Sequence, residues 1–216
     1  MSDANTDDPA LFEIIHTTRS MRRLKPDPVA DALIRKILDA GICAPNGGNT
    51  QRWRFLVVKD PAIKRRVQQY YKRAFDEVVG PRYLNSAPPP GVSREAYTRQ
   101  HAAVQYLTDH FHEAPVWIVA CLEEGSTPPT RWSGASIYPA VQNMLLAARA
   151  LGLGATLTTR HLLFEKETEA ALGLPTGVHS YAILPIGYPM GRFGPVGRGP
   201  LTDVVYQDRW GTPYLS

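Results

Sequence analysis

Apolar residues recur at helical spacing in several stretches of the chain and gather into short unbroken runs in others, which divides it into helices and strands. Leu11, Ile14 and Ile15 follow Asp8-Pro9, a capping residue and a proline suited to the first helical position, and predict a short helix ending by Thr18. Asp27-Pro28 repeats that start signal, and Leu33, Ile34, Ile37 and Leu38 form a stripe that stops near Gly41 and Pro45. Trp53 to Val58, rich in aromatic and β-branched residues, predicts a strand, and Asp60-Pro61 then opens a charged helix to about Val79. The prolines between Asn85 and Gly91 break any helix, and Ser93 caps the next one, which runs to about His112.

Val116–Leu122 is continuously apolar, the mark of a strand covered on both faces. Glu124 to Ala135 reads as a loop carrying Arg131 and Trp132, after which Ile137, Val141, Met144, Leu145 and Ala148 mark a helix ending at Gly152. Ala155–Thr158 predicts a short strand, Phe164–Leu172 a helix closed by Gly173, and Ser180–Gly187 another strand. Pro189–Pro200 is a loop of glycine, proline and arginine, and Leu201–Tyr206 predicts one more strand. An order of ααβααβαβαβ implies an α+β fold with a central mixed sheet. No repeat or linker divides residues 1–216, so a single domain is expected, with a flexible tail over residues 1–8.

Composition narrows this picture modestly. With 44% hydrophobic and 20% charged residues in 216, the chain is an ordinary globular one, and its 24 basic against 20 acidic residues do not by themselves indicate nucleic acid. Cys43 and Cys121 are the only cysteines and are far apart, which suits a reducing cytoplasm. The polar, acidic start does not resemble a secretory signal, and the apolar run at 116–122 is too short to span a membrane.

Four stretches carry candidate chemistry. Arg19-Ser20-Met21-Arg22-Arg23 follows the first helix, where guanidinium groups and a hydroxyl suit a phosphate and a polarised carbonyl, although a solvated basic turn reads the same way. Pro45-Asn46-Gly47-Gly48-Asn49-Thr50-Gln51 is dense in amides and glycines and suits close approach to a planar ligand, or a simple change of chain direction. Gly152-Leu153-Gly154-Ala155-Thr156-Leu157-Thr158-Thr159-Arg160 closes a helix with its Gly-x-Gly and enters a strand, the reverse of a dinucleotide fingerprint. Arg192 and Arg198 lie in the late glycine-rich loop. There is no Walker A sequence and no G-x-S-x-G elbow, and His110 and His112 point to different faces of a helix, so no metal set is expected.

Taken in order, these stretches resemble the nitroreductase family. Arg-Ser-x-Arg-Arg after a first helix, Ala44-Pro45 through Gln51-x-Trp53-Arg54-Phe55 before the first core strand, and Glu113-Ala114-Pro115 before an apolar strand all fit. So do Gln142-Asn143 to Gly154 and Pro185-Ile186-Gly187-Tyr188-Pro189 with Arg198 beyond, covering most of residues 10–210. Thr18, Asn46 and Arg52 stand where the family often has arginine, serine and proline.

The resemblance implies a nitroreductase-like fold, an intertwined homodimer and FMN as cofactor, with NADPH or NADH as electron donor. It implies that Arg19, Ser20 and Arg22 contact the flavin, Arg22 near its pyrimidine edge, and that Arg198 meets the phosphate. Pro45, Asn46, Gly47, Asn49 and Gln51 would approach the partner subunit's flavin, and Leu157, Thr158, Thr159 and Arg160 would present backbone N–H groups toward flavin N5. Residues 201–216 would embrace the partner. The implied activity is two-electron reduction of nitroaromatic or quinone acceptors, a small molecule for which Trp132 offers a stacking surface and Arg131 an anionic anchor. The alternatives are an FMN-binding protein without turnover, or a flavin-modifying or dehalogenating member of the same fold. A nucleic-acid-binding role lacks the basic, aromatic-interleaved stripe it requires, and no membrane association is expected.

Overall fold

The computed structural model describes residues 10–214, so the predicted tail over residues 1–8 and the Asp8-Pro9 start signal lie outside it. In chain order the elements are α1 (Ala10–Thr17), α2 (Asp31–Ile42), β1 (Trp53–Val58), α3 (Pro61–Ala74), α4 (Gly80–Asn85), α5 (Arg94–His110), β2 (Val116–Glu123), α6 (Arg131–Ala150), β3 (Gly154–Ala155), α7 (Glu165–Leu172) and β4 (Val178–Gly187). Capping chemistry sets several ends. Asp60 accepts hydrogen bonds from the N–H groups of Ala62 and Ile63 at the start of α3, Ser93 accepts from Ala96 N–H at α5, and Gly173 takes the left-handed conformation that stops α7.

Helices cover a four-stranded sheet of order β1-β2-β4-β3, so the fold is α+β as expected. The sheet is antiparallel at each of its pairings rather than mixed. Two long helices, α3 and α5, carry the chain away from the end of β1 and back to it, so β2 starts opposite the residue where β1 stops, with Val58 facing Trp117. Lys64 on α3 fixes that return by donating to the carbonyl of Ala114 at 2.7 Å. A sequence pattern carries the existence of those helices but not the direction in which they deliver the next strand.

The apolar run of β2 alternates between two cores. Val116, Ile118, Ala120 and Leu122 pack with α2 and α6 through Ile34, Ile37, Ile137, Val141 and Met144. Trp117, Val119 and Cys121 face the opposite side, against Val67 and Tyr71 of α3, Leu107 of α5 and Leu172 of α7. Each such fully buried aliphatic side chain stabilises the fold by about 1.5–3 kcal/mol. On the second side Tyr71, Phe111 and Trp117 stack in a column with ring centroids 4.0 and 4.2 Å apart, and the Trp117 indole donates to the Phe111 carbonyl at 3.1 Å.

Three further expectations change. Helix α2 begins at Asp31, not at Asp27-Pro28, because Lys25 N–H bonds the Tyr188 carbonyl at 2.8 Å and Leu24 bridges Pro189, which holds the chain extended until it leaves the sheet. Helix α6 begins at Arg131, because Thr130 and Ser133 form a reciprocal capping box, so Arg131 and Trp132 belong to a helix turn rather than a loop. Leu201–Tyr206 is not a strand within its own chain. Leu201–Asp203 forms a single 3-10 turn, and the backbone bonds of this segment are local, from Asp203 N–H to Pro200, Val204 N–H to Leu201 and Tyr214 N–H to Val205.

Candidate flavin site

The segment after α1 is extended and stitched on both sides. Met21 N–H donates to the Ala155 carbonyl at 3.0 Å, Lys25 N–H to Tyr188, and Met190 N–H to Arg23 at 3.0 Å, which anchors Met21 and Leu24 in the core. Gly154 makes this approach feasible. A Cβ there would stand 2.9 Å from Met21 Cβ and 3.1 Å from Pro189 Cβ, so a side chain would push away the backbone that carries Arg19, Ser20 and Arg22.

Two adjoining cavities, of about 430 and 560 Å³, share Arg19, Ser20, Val196 and Arg198. The first reaches Gln142 and Arg149 on α6 and Thr156 after β3; the second takes in Arg22, and Arg99 and Gln100 on α5. The late loop closes over both, held by a Val196 N–H bond to the His16 carbonyl at 3.0 Å and by Phe193, which lies 4.4 Å beneath the Arg149 guanidinium. Thus Arg19, Ser20, Arg22 and Arg198, separated by up to 179 positions in sequence, meet in one place. Arg192 does not line either cavity.

Charge dominates this place. Among the described residues, none of Arg19, Arg22, Arg99, Arg160 and Arg198 has a carboxylate within salt-bridge distance. Arg160 lies across the Tyr71 ring at 4.4 Å and the Phe75 ring at 4.9 Å, capping the aromatic column, and donates to the Thr108 hydroxyl. Phe75 opens a π-helical turn, Phe75–Val79, that continues α3 into α4. Burial pulls the Arg22 guanidinium below its ordinary pKa, opposed by Tyr83 and Tyr71. Burial does the same to Arg160, helped by repulsion from Arg22. Two partly desolvated cations near one another without an acid are stabilised by an anionic ligand.

None of Leu157, Thr158, Thr159 and Arg160 lines either cavity. Thr158 N–H is engaged by the Ile183 carbonyl at 3.1 Å and its hydroxyl by Tyr71 at 3.0 Å, so of these four backbone N–H groups that of Thr158 is already taken. Thr156 lies within the candidate stretch from Gly152 to Arg160, whereas Arg149, Arg99 and Gln100 carry no mark of their own in the sequence. Gln142 sits in a family-like stretch, but Arg99 is one charge on the polar face of α5, and tertiary folding alone brings it to the cavity.

The amide loop lies elsewhere. Gly47 N–H donates to Ser136 Oγ at 3.1 Å, joining the loop to the first turns of α6, whereas Gln142, Leu145 and Arg149 line the arginine cavity six to thirteen residues further along. That separation is about 9–20 Å at the helical rise of ~1.5 Å per residue. No residue of 45–51 lines either arginine cavity. The loop is nonetheless built: Gln51 N–H bonds Asn46 Oδ1 at 2.9 Å, and Gly48, Asn49 and Gln51 all have positive φ, near 59°, 51° and 51°. Gly47 and Trp132 share a smaller cavity of about 280 Å³, with Arg52 and the buried Glu124. Glu124 accepts from the hydroxyls of Ser133 and Tyr181, and burial followed by that carboxylate raises the Tyr181 pKa. Trp132 is 85% exposed, and Arg131 lines a separate groove with Tyr138 and Leu162.

The profile of the nitroreductase family matches residues 15–188. A protein of Thermus thermophilus described as NADH dehydrogenase is 33% identical over 198 residues, covering 87% of this chain and 90% of that one. A putative nitroreductase of Desulfovibrio desulfuricans, solved in complex with FMN, superposes with a TM-score of 0.67 at 27% identity, covering 95% of this chain and 99% of the other. An iodotyrosine deiodinase bound to FMN and 3-iodo-L-tyrosine gives a TM-score of 0.69 at 25% identity, covering 92% and 98%. The fold is that of the nitroreductase family, and the chain belongs to it.

Proposed function

We propose that the protein is an FMN-dependent NAD(P)H oxidoreductase that works as a homodimer and reduces nitroaromatic or quinone acceptors. The observation that carries this reading is the convergence of Arg19, Ser20, Arg22 and Arg198, with Arg99 and Arg160 nearby, none of these arginines paired with a carboxylate among the described residues. These residues fit the group. A phosphate dianion takes charge-assisted bonds from arginines at the junction of the two cavities, Arg198 and Arg19, and Arg22 offers a fixed cation to the pyrimidine edge of the ring. When bound, FMN supplies two-electron transfer between a nicotinamide donor and an acceptor. The protein's share is electrostatic: Arg22 and Arg160 stand preorganised, so negative charge that develops on the ring is met without rearrangement.

Because the amide loop and Trp132 occupy one wall far from their own chain's arginine cavity, they serve the flavin held by the other subunit, with Trp132 stacking on flat acceptors. Mixing the purified protein with NADH and with NADPH in a stopped-flow instrument tests the activity. Bleaching of the flavin band that a nitroaromatic or quinone then reverses is expected, and a band that neither donor bleaches overturns it in favour of a passive FMN carrier. Likeness to the FMN-bound deiodinase motivates including 3-iodotyrosine as a competing acceptor in that assay.

Trp132→Ala is expected to lower kcat/KM for nitroaromatic acceptors by about 2–10-fold, a stacking contribution of ~0.5–1.5 kcal/mol, and to leave the rate of reduction by the nicotinamide donor unchanged. Steady-state measurement over a series of acceptors checks this. An unchanged kcat/KM throughout removes Trp132 from the pocket.

A further inference from the structure

At the end of β4 remote from the arginine cavities, three metal-ligating side chains converge. Glu165 and Glu169 stand four residues apart on α7 and share a face, and His179 meets them from the second residue of β4. One ligand atom from each lies within 4.8 Å of the other two. Glu169 is the firmest of the three, its side chain only 14% exposed. Its Oε1 accepts from Ser180 N–H at 2.6 Å and from the Ser180 hydroxyl at 3.0 Å. Ser180 is itself buried and is backed by the fully buried His161, whose Nε2 lies 3.2 Å from Ser180 Oγ. The carboxylate is therefore held in place by an outer layer of hydrogen bonds, as ligating carboxylates are.

These contacts leave Glu169 Oε2 turned toward His179. Its separation from His179 Nδ1 is 3.6 Å, too long for a hydrogen bond, and that nitrogen is shielded from solvent and lacks a hydrogen-bond partner. Two ligands of one tetrahedral ion, each at ~2.0–2.2 Å from it, stand roughly 3.4 Å apart, close to the spacing seen. Among the described residues no lysine or arginine stands within salt-bridge distance of Glu165 or Glu169, and His179 is the one basic group that does. Glu165 and Ser180 also line an open groove of about 650 Å³ that gives an ion access from solvent.

We propose that Glu165, Glu169 and His179 bind a divalent cation with the mixed nitrogen and oxygen preference of zinc, leaving its fourth position to water. The ion clips the face of α7 to the start of β4 and closes the Gly173–Gly177 turn between them. Eight residues of β4 separate His179 from Gly187 beside the arginine segment, about 26 Å at ~3.3 Å per residue, so the ion lies apart from the arginine cavities.

The test uses the untagged full chain as purified, treated with a chelator and then titrated with zinc chloride against a chromophoric zinc indicator. The wild type is expected to withdraw one zinc per chain and to gain in melting temperature. His179→Ala and Glu165→Gln should lose both effects while keeping the wild-type circular dichroism and visible spectrum. Failure of the wild type to compete with the indicator overturns the proposal, and so does undiminished uptake by His179→Ala. Should His179→Ala not fold, Glu165→Gln decides, because it keeps the shape of a partly exposed side chain on the helix surface.

Discussion

Arg22→Ala is expected to weaken FMN binding by about 10–150-fold, the loss of one charge-assisted contact of ~1.5–3 kcal/mol, and to make the bound flavin harder to reduce. The two effects share one cause. Arg22 is partly buried, has no carboxylate partner among the described residues, and already stands depressed below its ordinary pKa by burial. A cation so placed favours any ligand charge beside it, and favours it more as that charge grows on reduction, so its removal shifts the midpoint potential downward. Arg160 stays in place on the Tyr71 ring and limits the loss. Titration of the apoprotein with FMN, together with a dye-equilibrated reductive titration, measures both quantities. Full occupancy at an unchanged potential rejects the role given to Arg22.

Truncation ahead of Leu201 is expected to abolish the dimer and the bound FMN together. The C-terminal segment exposes Leu201, Val204, Trp210 and Tyr214 at 61, 70, 89 and 58%. A run of apolar side chains this open is the mark of a surface covered by something else. Among the described residues strand β1 pairs with β2 on one side and has no strand on its other edge, the kind of edge that a second chain covers in an isologous dimer. Sedimentation velocity read at the flavin absorbance follows both properties in one experiment. A flavin-replete, fully active monomer refutes the shared-site reading.

The sequence and the fold agree best where local chemistry is self-sufficient. Asp60-Pro61, Ser93 and Gly173 each act within a few residues, and the ends they predict stand at or within one residue of the observed ends. The unbroken run at Val116–Leu122 likewise carries its own message, since both of its faces are buried. Agreement fails where distant backbone decides. Asp27-Pro28 has every local signal of a helix start, yet the bonds from Lys25 and Leu24 to the end of β4 keep it extended. Strand direction depends on contacts that no periodicity encodes, whereas the start of α6 at Arg131 rests on the local Thr130–Ser133 capping box inside a stretch whose composition reads as a loop.

The site divides in the same way. Arg19, Ser20, Arg22 and Arg198 stand in glycine-, proline- or arginine-marked stretches and were legible as candidates, and the structure gathers all four. Arg99 and Gln100 line the second cavity without any local mark. Arg160 was legible through its backbone, whereas its guanidinium, stacked on Tyr71 and Phe75, is a product of the π-helical turn after α3. The grouping of Glu165, Glu169 and His179 across a tight turn escapes any linear ligand spacing for the same reason.

The length of α6 between Ser136 and Arg149 has a genetic consequence. If each flavin site joins the arginine cavity of one chain to the amide loop of the other, a lesion in either half disables a different part of the pair. Co-expressing an Arg22→Ala chain with a chain whose Asn46–Gln51 loop is altered would then yield mixed dimers in which one site carries both lesions and the other carries none. Random assortment makes half of all dimers mixed, so about a quarter of the sites are restored, the ceiling for allelic complementation in a two-fold assembly. Two individually inactive alleles that rescue each other to that extent would report the shared architecture without purification, and alleles within the same half would never do so.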